Sequence, residues 1–75
     1  MLIASVSFVA ASHAADDPAQ RKDLTAVIAL NGKPCGEVVS YVVRGEKDYV
    51  ATCKDGNKYR VYVNAEGRVV VEKAG

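Results

Sequence analysis

Past His13 the chain holds no histidine, and past Ser12 its one serine is Ser40. Without an imidazole base, neither a Ser-His-Asp nor a Cys-His constellation can be assembled from the residues that follow. The two cysteines, Cys35 and Cys53, lack Cys-x-x-Cys spacing and have no further Cys or His beside them, which leaves neither a redox motif nor a metal-ligand set. An excess of charge of one sign is missing too. Ten basic and nine acidic side chains are interspersed to a net charge of +1, which excludes the basic stripe of a nucleic-acid binder. Gly32, Gly36, Gly45, Gly56 and Gly67 are spaced as turn punctuation, and no phosphate-cradling loop is among them. The carboxylates Glu37, Glu46, Asp48, Asp55 and Glu66 fall at expected turns or strand ends, where they read as solvated surface. Composition therefore predicts a protein that is not an enzyme, with no cofactor, no metal and no nucleic-acid partner.

The front of the chain is its clearest signal. Leu2 to Ala11 is apolar and uncharged, and Ser12-His13-Ala14 supplies small residues at the spacing signal peptidase prefers, just before Asp16 and Asp17. A run of about ten such residues is half of what a membrane-crossing helix needs, so no stable membrane span is expected. The segment reads as a signal peptide, residues 1–14, cut after Ala14. The opening Lys or Arg usual in such peptides is missing, and the alternative for Leu2 to Ala11 is an N-terminal strand or helix of the folded domain. Export places the protein in the periplasm or outside the cell.

Residues 15–75 then form one small domain, near the size at which a core alone stops sufficing. An even cysteine count in an exported chain this short predicts a Cys35–Cys53 disulfide.

Asp17-Pro18-Ala19-Gln20 is a helix start: Asp17 can cap, Pro18 suits the first turn, and Gln20 can reach back as in a capping box. Leu24, Val27 and Ile28, with Leu30 at the margin, form one apolar stripe, opposite Arg21, Lys22, Asp23 and Thr25 on the solvent side. Asn31-Gly32, followed by Pro34, ends it. From Glu37 the period becomes two, predicting strands at Val38 to Val43, Tyr49 to Lys54, Lys58 to Val63 and Arg68 to Lys73. Short connections force antiparallel neighbours: Gly45-Glu46 as a Gly-X turn, Asp55-Gly56 as a two-residue turn, and Ala65 to Gly67 as a three-residue loop within Asn64-Ala65-Glu66-Gly67. The expected fold is α+β, one N-terminal helix packed on a four-stranded antiparallel meander in two layers.

These turns set a register. Thr52 falls opposite Tyr59, Val50 opposite Val61, Tyr49 opposite Tyr62, Val63 opposite Val69, Val61 opposite Val71 and Arg60 opposite Glu72. Val50, Thr52, Tyr59, Val61, Val63, Val69 and Val71 then face the helix, and Val39, Tyr41 and Val43 join them from the first strand. The other face carries Tyr49, Ala51, Cys53, Lys58, Arg60, Tyr62, Val70 and Glu72. Cys53 thus points away from the helix, and reaching it from Cys35 takes either a bulge near Cys35-Gly36 or a bridge across the sheet edge.

One amphipathic helix, a Gly-containing turn, and strands closing on Tyr49-Val50-Ala51, Lys58-Tyr59-Arg60-Val61-Tyr62-Val63 and Gly67-Arg68-Val69-Val70-Val71 resemble the PepSY-type small secreted domains over most of residues 15–75. The cysteine pair and the short stretch between helix and first strand depart from that pattern. The resemblance implies a periplasmic or extracellular binding module, in some relatives thought to restrain a protease, and no catalytic residues.

A protein partner is the remaining expectation. Tyr49, Lys58, Arg60, Tyr62 and Val70 form the candidate face, since Tyr and Arg are enriched at the energetic centres of interfaces. An edge strand offers a second route, to an extended peptide or to a weak homodimer of an otherwise monomeric chain. The alternative function is that of a structural accessory subunit in an envelope complex.

Overall fold

Asp17 begins the helix as its sequence context predicts: its carboxylate accepts from the Ala19 N–H at 3.0 Å, and Pro18 takes the first helical position of α1 (Pro18–Leu30). The computed structural model describes residues 17–75, so the expected leader and its cut after Ala14 lie outside the described residues. Gln20 does not close a capping box; its side-chain oxygen accepts from the Tyr49 hydroxyl at 3.5 Å instead. At the other end Gly32, with φ 73°, donates to the Ala29 carbonyl and Lys33 donates to that of Ile28. This is the Schellman pattern, which satisfies carbonyls the last turn would leave bare.

Four strands follow, β1 (Val38–Gly45), β2 (Asp48–Cys53), β3 (Lys58–Val63) and β4 (Val69–Lys73), in one antiparallel sheet of order β1-β2-β3-β4. The helix lies across one face, against β1 and β3, giving the expected two-layer α+β arrangement. Its stripe is narrower than predicted. Leu24 and Ile28 are buried and Val27 packs against them, but Leu30 is 85% exposed, because it sits about 200° around the helix from Ile28.

The β3–β4 register is the predicted one, with Arg60 opposite Glu72, Val61 opposite Val71 and Val63 opposite Val69. That of β2 is displaced by one residue. Asp55-Gly56 does not form a two-residue turn: Cys53 N–H donates to the Asn57 carbonyl and Gly56 N–H to that of Cys53, enclosing the three residues Lys54, Asp55 and Gly56. Gly56 takes the left-handed position, φ 96°, and the Asp55 carboxylate accepts from the Asn57 N–H. Ala51 therefore meets Tyr59, and Tyr49 meets Val61. A one-residue slip exchanges faces. Val50 and Thr52, expected inward, point outward, while Tyr49, Ala51 and Cys53 face the helix.

This shift removes the difficulty over the disulfide. Cys35 and Cys53 are bonded, with Cα atoms 5.0 Å apart, and both are buried on the helix side. Neither a detour round the sheet edge nor a bulge at Cys35-Gly36 is needed. The bulge that does occur lies at Val39, between the Val38–Cys53 and Ser40–Thr52 pairs. It turns Val38 into the core and leaves Val39, expected inward, 48% exposed. Tyr41 is buried as predicted; Val43 lies on the helix side opposite Tyr49 but is 52% exposed, at the rim of the sheet. In the β1–β2 connection Gly45 pairs with Asp48, so the tip is Glu46-Lys47 and the left-handed residue is Lys47, φ 54°, one position beyond the expected Gly-Glu turn.

Thr25 was expected on the solvent side of the helix, and it is a strut. Its hydroxyl donates to the Arg21 carbonyl at 2.8 Å and accepts from the Val38 N–H at 2.9 Å, serving a buried amide that points away from β2, because the carbonyl of the same peptide, Glu37, accepts from Lys54. The buried Tyr59 reaches the linker in the same way, its hydroxyl donating to the Pro34 carbonyl at 2.8 Å.

Two outcomes test these assignments. Replacing both Cys35 and Cys53 by Ala lowers unfolding free energy in urea by about 3 kcal/mol, the chain-entropy value for a loop of this length. Thr25→Val, which strands the Val38 N–H, costs about 1–2 kcal/mol, and Thr25→Ser recovers most of the loss.

Candidate functional site: the outer face of the sheet

Alternation along the strands sends Ser40, Val42, Asp48, Val50, Thr52, Lys58, Arg60, Tyr62, Val70 and Glu72 to the face away from α1. None of these ten is buried. Four of the five residues in the predicted binding face, Lys58, Arg60, Tyr62 and Val70, are here together. Tyr49 is not. The displaced β2 register carries it to the helix side, where its ring meets Tyr41 edge-on at a centroid distance of 5.9 Å.

Asp48 takes the place beside Arg60 and Tyr62 that was predicted for Tyr49, directly opposite Tyr62 and diagonal to Arg60. The Arg60 guanidinium donates to both Asp48 carboxylate oxygens, Nε at 3.1 Å and Nη2 at 2.9 Å. Its carbon lies 3.9 Å from the centre of the Tyr62 ring, within cation–π range. The Tyr62 hydroxyl in turn donates to Glu72 at 3.0 Å. Arg60 and Glu72 do stand opposite each other as expected, yet each satisfies a different neighbour. A chain of contacts Asp48–Arg60–Tyr62–Glu72 therefore crosses three strands.

The two ends of this chain shift the groups within it. The hydrogen bond from Arg60 holds the Asp48 carboxyl below the usual carboxylate range, and the same bond raises the Arg60 guanidinium. The hydrogen bond to Glu72, followed by desolvation, pushes the Tyr62 phenol up, since ionising it would set an anion against an anion. An exposed pair of this kind adds little stability, and its bidentate, stacked geometry matters for order more than for energy.

The arrangement supplies no nucleophile with a base, and among the described residues no group of three His, Cys, Asp or Glu converges as a metal site would. What it offers is shape and charge: an aromatic ring and a guanidinium held in one conformation, with three of the five guanidinium N–H donors outside the pair with Asp48. Glu72, placed opposite Arg60, bonds Tyr62 instead, and Asp48 was missed in the sequence because it read as a turn residue. Its position two places from the Arg60 cross-strand site, in the correct register, is the signal that identifies it.

Two shallow grooves flank the helix. One, of about 410 Å³, runs between α1 and the start of β1 over Pro18, Thr25, Ala26, Ala29 and Val38. The other, of about 150 Å³, lies towards β4 over Leu24, Val27, Tyr49, Val61 and Val69. No helix among the described residues is long and apolar enough to cross a membrane. The chain matches no known family, no characterised protein and no solved structure.

The pairing with Arg60 has a pH signature. A carboxyl whose folded pKa is depressed contributes stability above its unfolded pKa and loses it as pH falls through the folded value. Thermal stability of the native protein should thus fall on acidification below about pH 4, and Asp48→Asn should flatten that fall. Alkaline absorbance titration should find Tyr62 ionising late, and earlier in Glu72→Gln.

Proposed function

We propose that this protein is an exported, non-enzymatic binding module that captures a protein partner on the outer face of its sheet. The observation that carries this reading is the ordered Arg60–Tyr62 pair, braced by Asp48 and Glu72 on a face where none of the described strand residues is buried. Freezing long side chains is a main cost of forming an interface, and here intramolecular bonds have already met it. Arg and Tyr are also the residue types that dominate interface energetics when partly desolvated.

Lys58 and Val70 extend the platform, one with charge and one with apolar surface, in the mixture of polar rim and apolar centre common to transient protein contacts. The intramolecular disulfide supports an oxidising compartment, since such bonds are rare where thiols are kept reduced. The likeness of the Tyr49–Ala51, Lys58–Val63 and Gly67–Val71 segments to PepSY-type domains points the same way, and suggests an enveloped or secreted protease as a partner to try first.

The test is capture. A photo-crosslinking residue at Lys58 should trap a partner in the exporting cell, and Arg60→Ala combined with Tyr62→Ala should weaken that capture about tenfold or more with little change in melting temperature. Capture that is indifferent to both substitutions, or lost only in step with unfolding, would refute the outer face as the binding surface. Recovery of the protein only as a fixed-stoichiometry component of one assembly would make it a structural subunit instead.

A further inference from the structure

β4 is an edge of the sheet, with β3 its one strand neighbour among the described residues. Two bonds fix the direction of its peptide groups: Asn64 N–H donates to the Arg68 carbonyl, and Ala74 N–H to that of Lys58. By alternation Val70 and Glu72 also direct theirs to β3, while Val69, Val71 and Lys73 direct theirs away from it. No hydrogen bond among the described residues takes up those outward groups. Charged side chains on such an edge ordinarily keep a second strand off. Here the two on the outer face, Arg68 just before β4 and Glu72 within it, are of opposite sign and stand symmetrically about Val70.

We propose that β4 pairs antiparallel with β4 of a second copy, about a two-fold axis at Val70, joining two four-stranded sheets into one. Val70 then meets its own counterpart, and Arg68 meets the Glu72 of the other copy at both ends of the contact. Within one copy these two lie four residues apart on an extended strand, about 13 Å, too far to bond. Both are exposed, and Arg68 has no acidic partner among the described residues. The Tyr62 hydroxyl donates to Oε2 of Glu72, so Oε1 is the oxygen presented to the incoming guanidinium.

Backbone and side chains agree on that register. Val69 of one copy falls opposite Val71 of the other, both with peptide groups directed outward, which makes them the hydrogen-bonded pair an antiparallel ladder requires. Val70 and the two Arg68–Glu72 pairs fall at the narrow positions between, where side chains approach most closely. On the helix side Val69, 48% exposed at the rim of the groove over Leu24 and Val27, acquires the second Val71 beside it. Moving the axis one residue, to Val71, would set Val70 against Glu72 and Arg68 against Ala74, and both charges would lose their partners. A foreign strand would need the same reversed pattern of charges, which a second copy carries by symmetry. So short a ladder covers less than the roughly 1,200 Å² of standard interfaces, and the dimer is accordingly weak and concentration-dependent.

The axis stands perpendicular to the sheet, so both helices lie on one side and both Arg60–Tyr62 pairs on the other. Tyr62 and Val70 with their two counterparts form one row across the outer face, the tyrosines three strand spacings, roughly 14 Å, apart. The chain of contacts Asp48–Arg60–Tyr62–Glu72 continues through Arg68 into the other sheet. Self-association itself does not rest on the proposed capture function.

Sedimentation velocity of the purified, oxidised protein without any partner tests the inference. A monomer–dimer equilibrium is expected. Arg68→Glu sets Glu against Glu at both ends and Glu72→Arg sets Arg against Arg, so each variant alone should dimerise about tenfold or more weakly. Their equimolar mixture should dimerise as tightly as the native protein, since every opposed pair is again of opposite sign. Lys33→Glu, the same change of charge at an exposed site beyond the end of α1, should leave association unchanged. A monomer at all concentrations up to about 1 mM, single variants that dimerise as the native protein does, or a mixture no tighter than its components overturns the proposal.

Discussion

The parity of β2 decides which half of this small domain is core. With Ala51 opposite Tyr59, Cys53 turns towards the helix, and only from there can it meet Cys35 without distorting the sheet. The disulfide then holds the linker against the end of β2, the Pro34 carbonyl falls within reach of Tyr59, and the Lys54 N–H donates to the Glu37 carbonyl at 2.7 Å. Each of these contacts depends on a three-residue loop at Lys54 to Gly56. A loop shorter by one would present Thr52 to the core and leave the thiol of Cys53 in solvent.

Much of this architecture was legible in the residues. Asp17-Pro18 carries the helix start, Asn31-Gly32 its end, and the side chain of Asn64, accepting from both Glu66 and Arg68 N–H groups, makes the last hairpin loop nearly self-specifying. Asp55-Gly56 is different in kind. The dipeptide fits a two-residue turn and equally the last two positions of a three-residue loop, and local chemistry does not choose between them. The choice is made by burial. Cys53 turned away from the helix, where Cys35 reaches it only by a bulge or round the sheet edge, is the trace that the two-residue turn leaves in the sequence.

The candidate site was legible in the same uneven way. Lys58, Arg60, Tyr62 and Val70 belong to strands whose register Gly67 fixes, and they share a face. Tyr49 belongs to β2 and moved with it. In its stead comes Asp48, and a surface that would have paired two tyrosines instead fastens a guanidinium between a carboxylate and a ring. Thr25 escaped for another reason. A threonine on the polar flank of a helix looks solvated, and only the start of β1, a distant segment whose Val38 N–H faces away from β2, gives its hydroxyl an amide to serve.

Hold is distributed unequally along this ribbon. Pro34, Cys35, Cys53 and Tyr59 converge where covalent, hydrogen-bonded and apolar contacts overlap, whereas β4, with Val71 its one buried residue, pairs with β3 alone among the described strands, and the tip at Lys47 carries an unfavourable backbone angle. Partial opening would therefore peel from the C-terminal margin inwards and stop at that knot. The guanidinium on β3 stays anchored through such a fluctuation, while the glutamate that tethers the phenol is the first bracing group to let go.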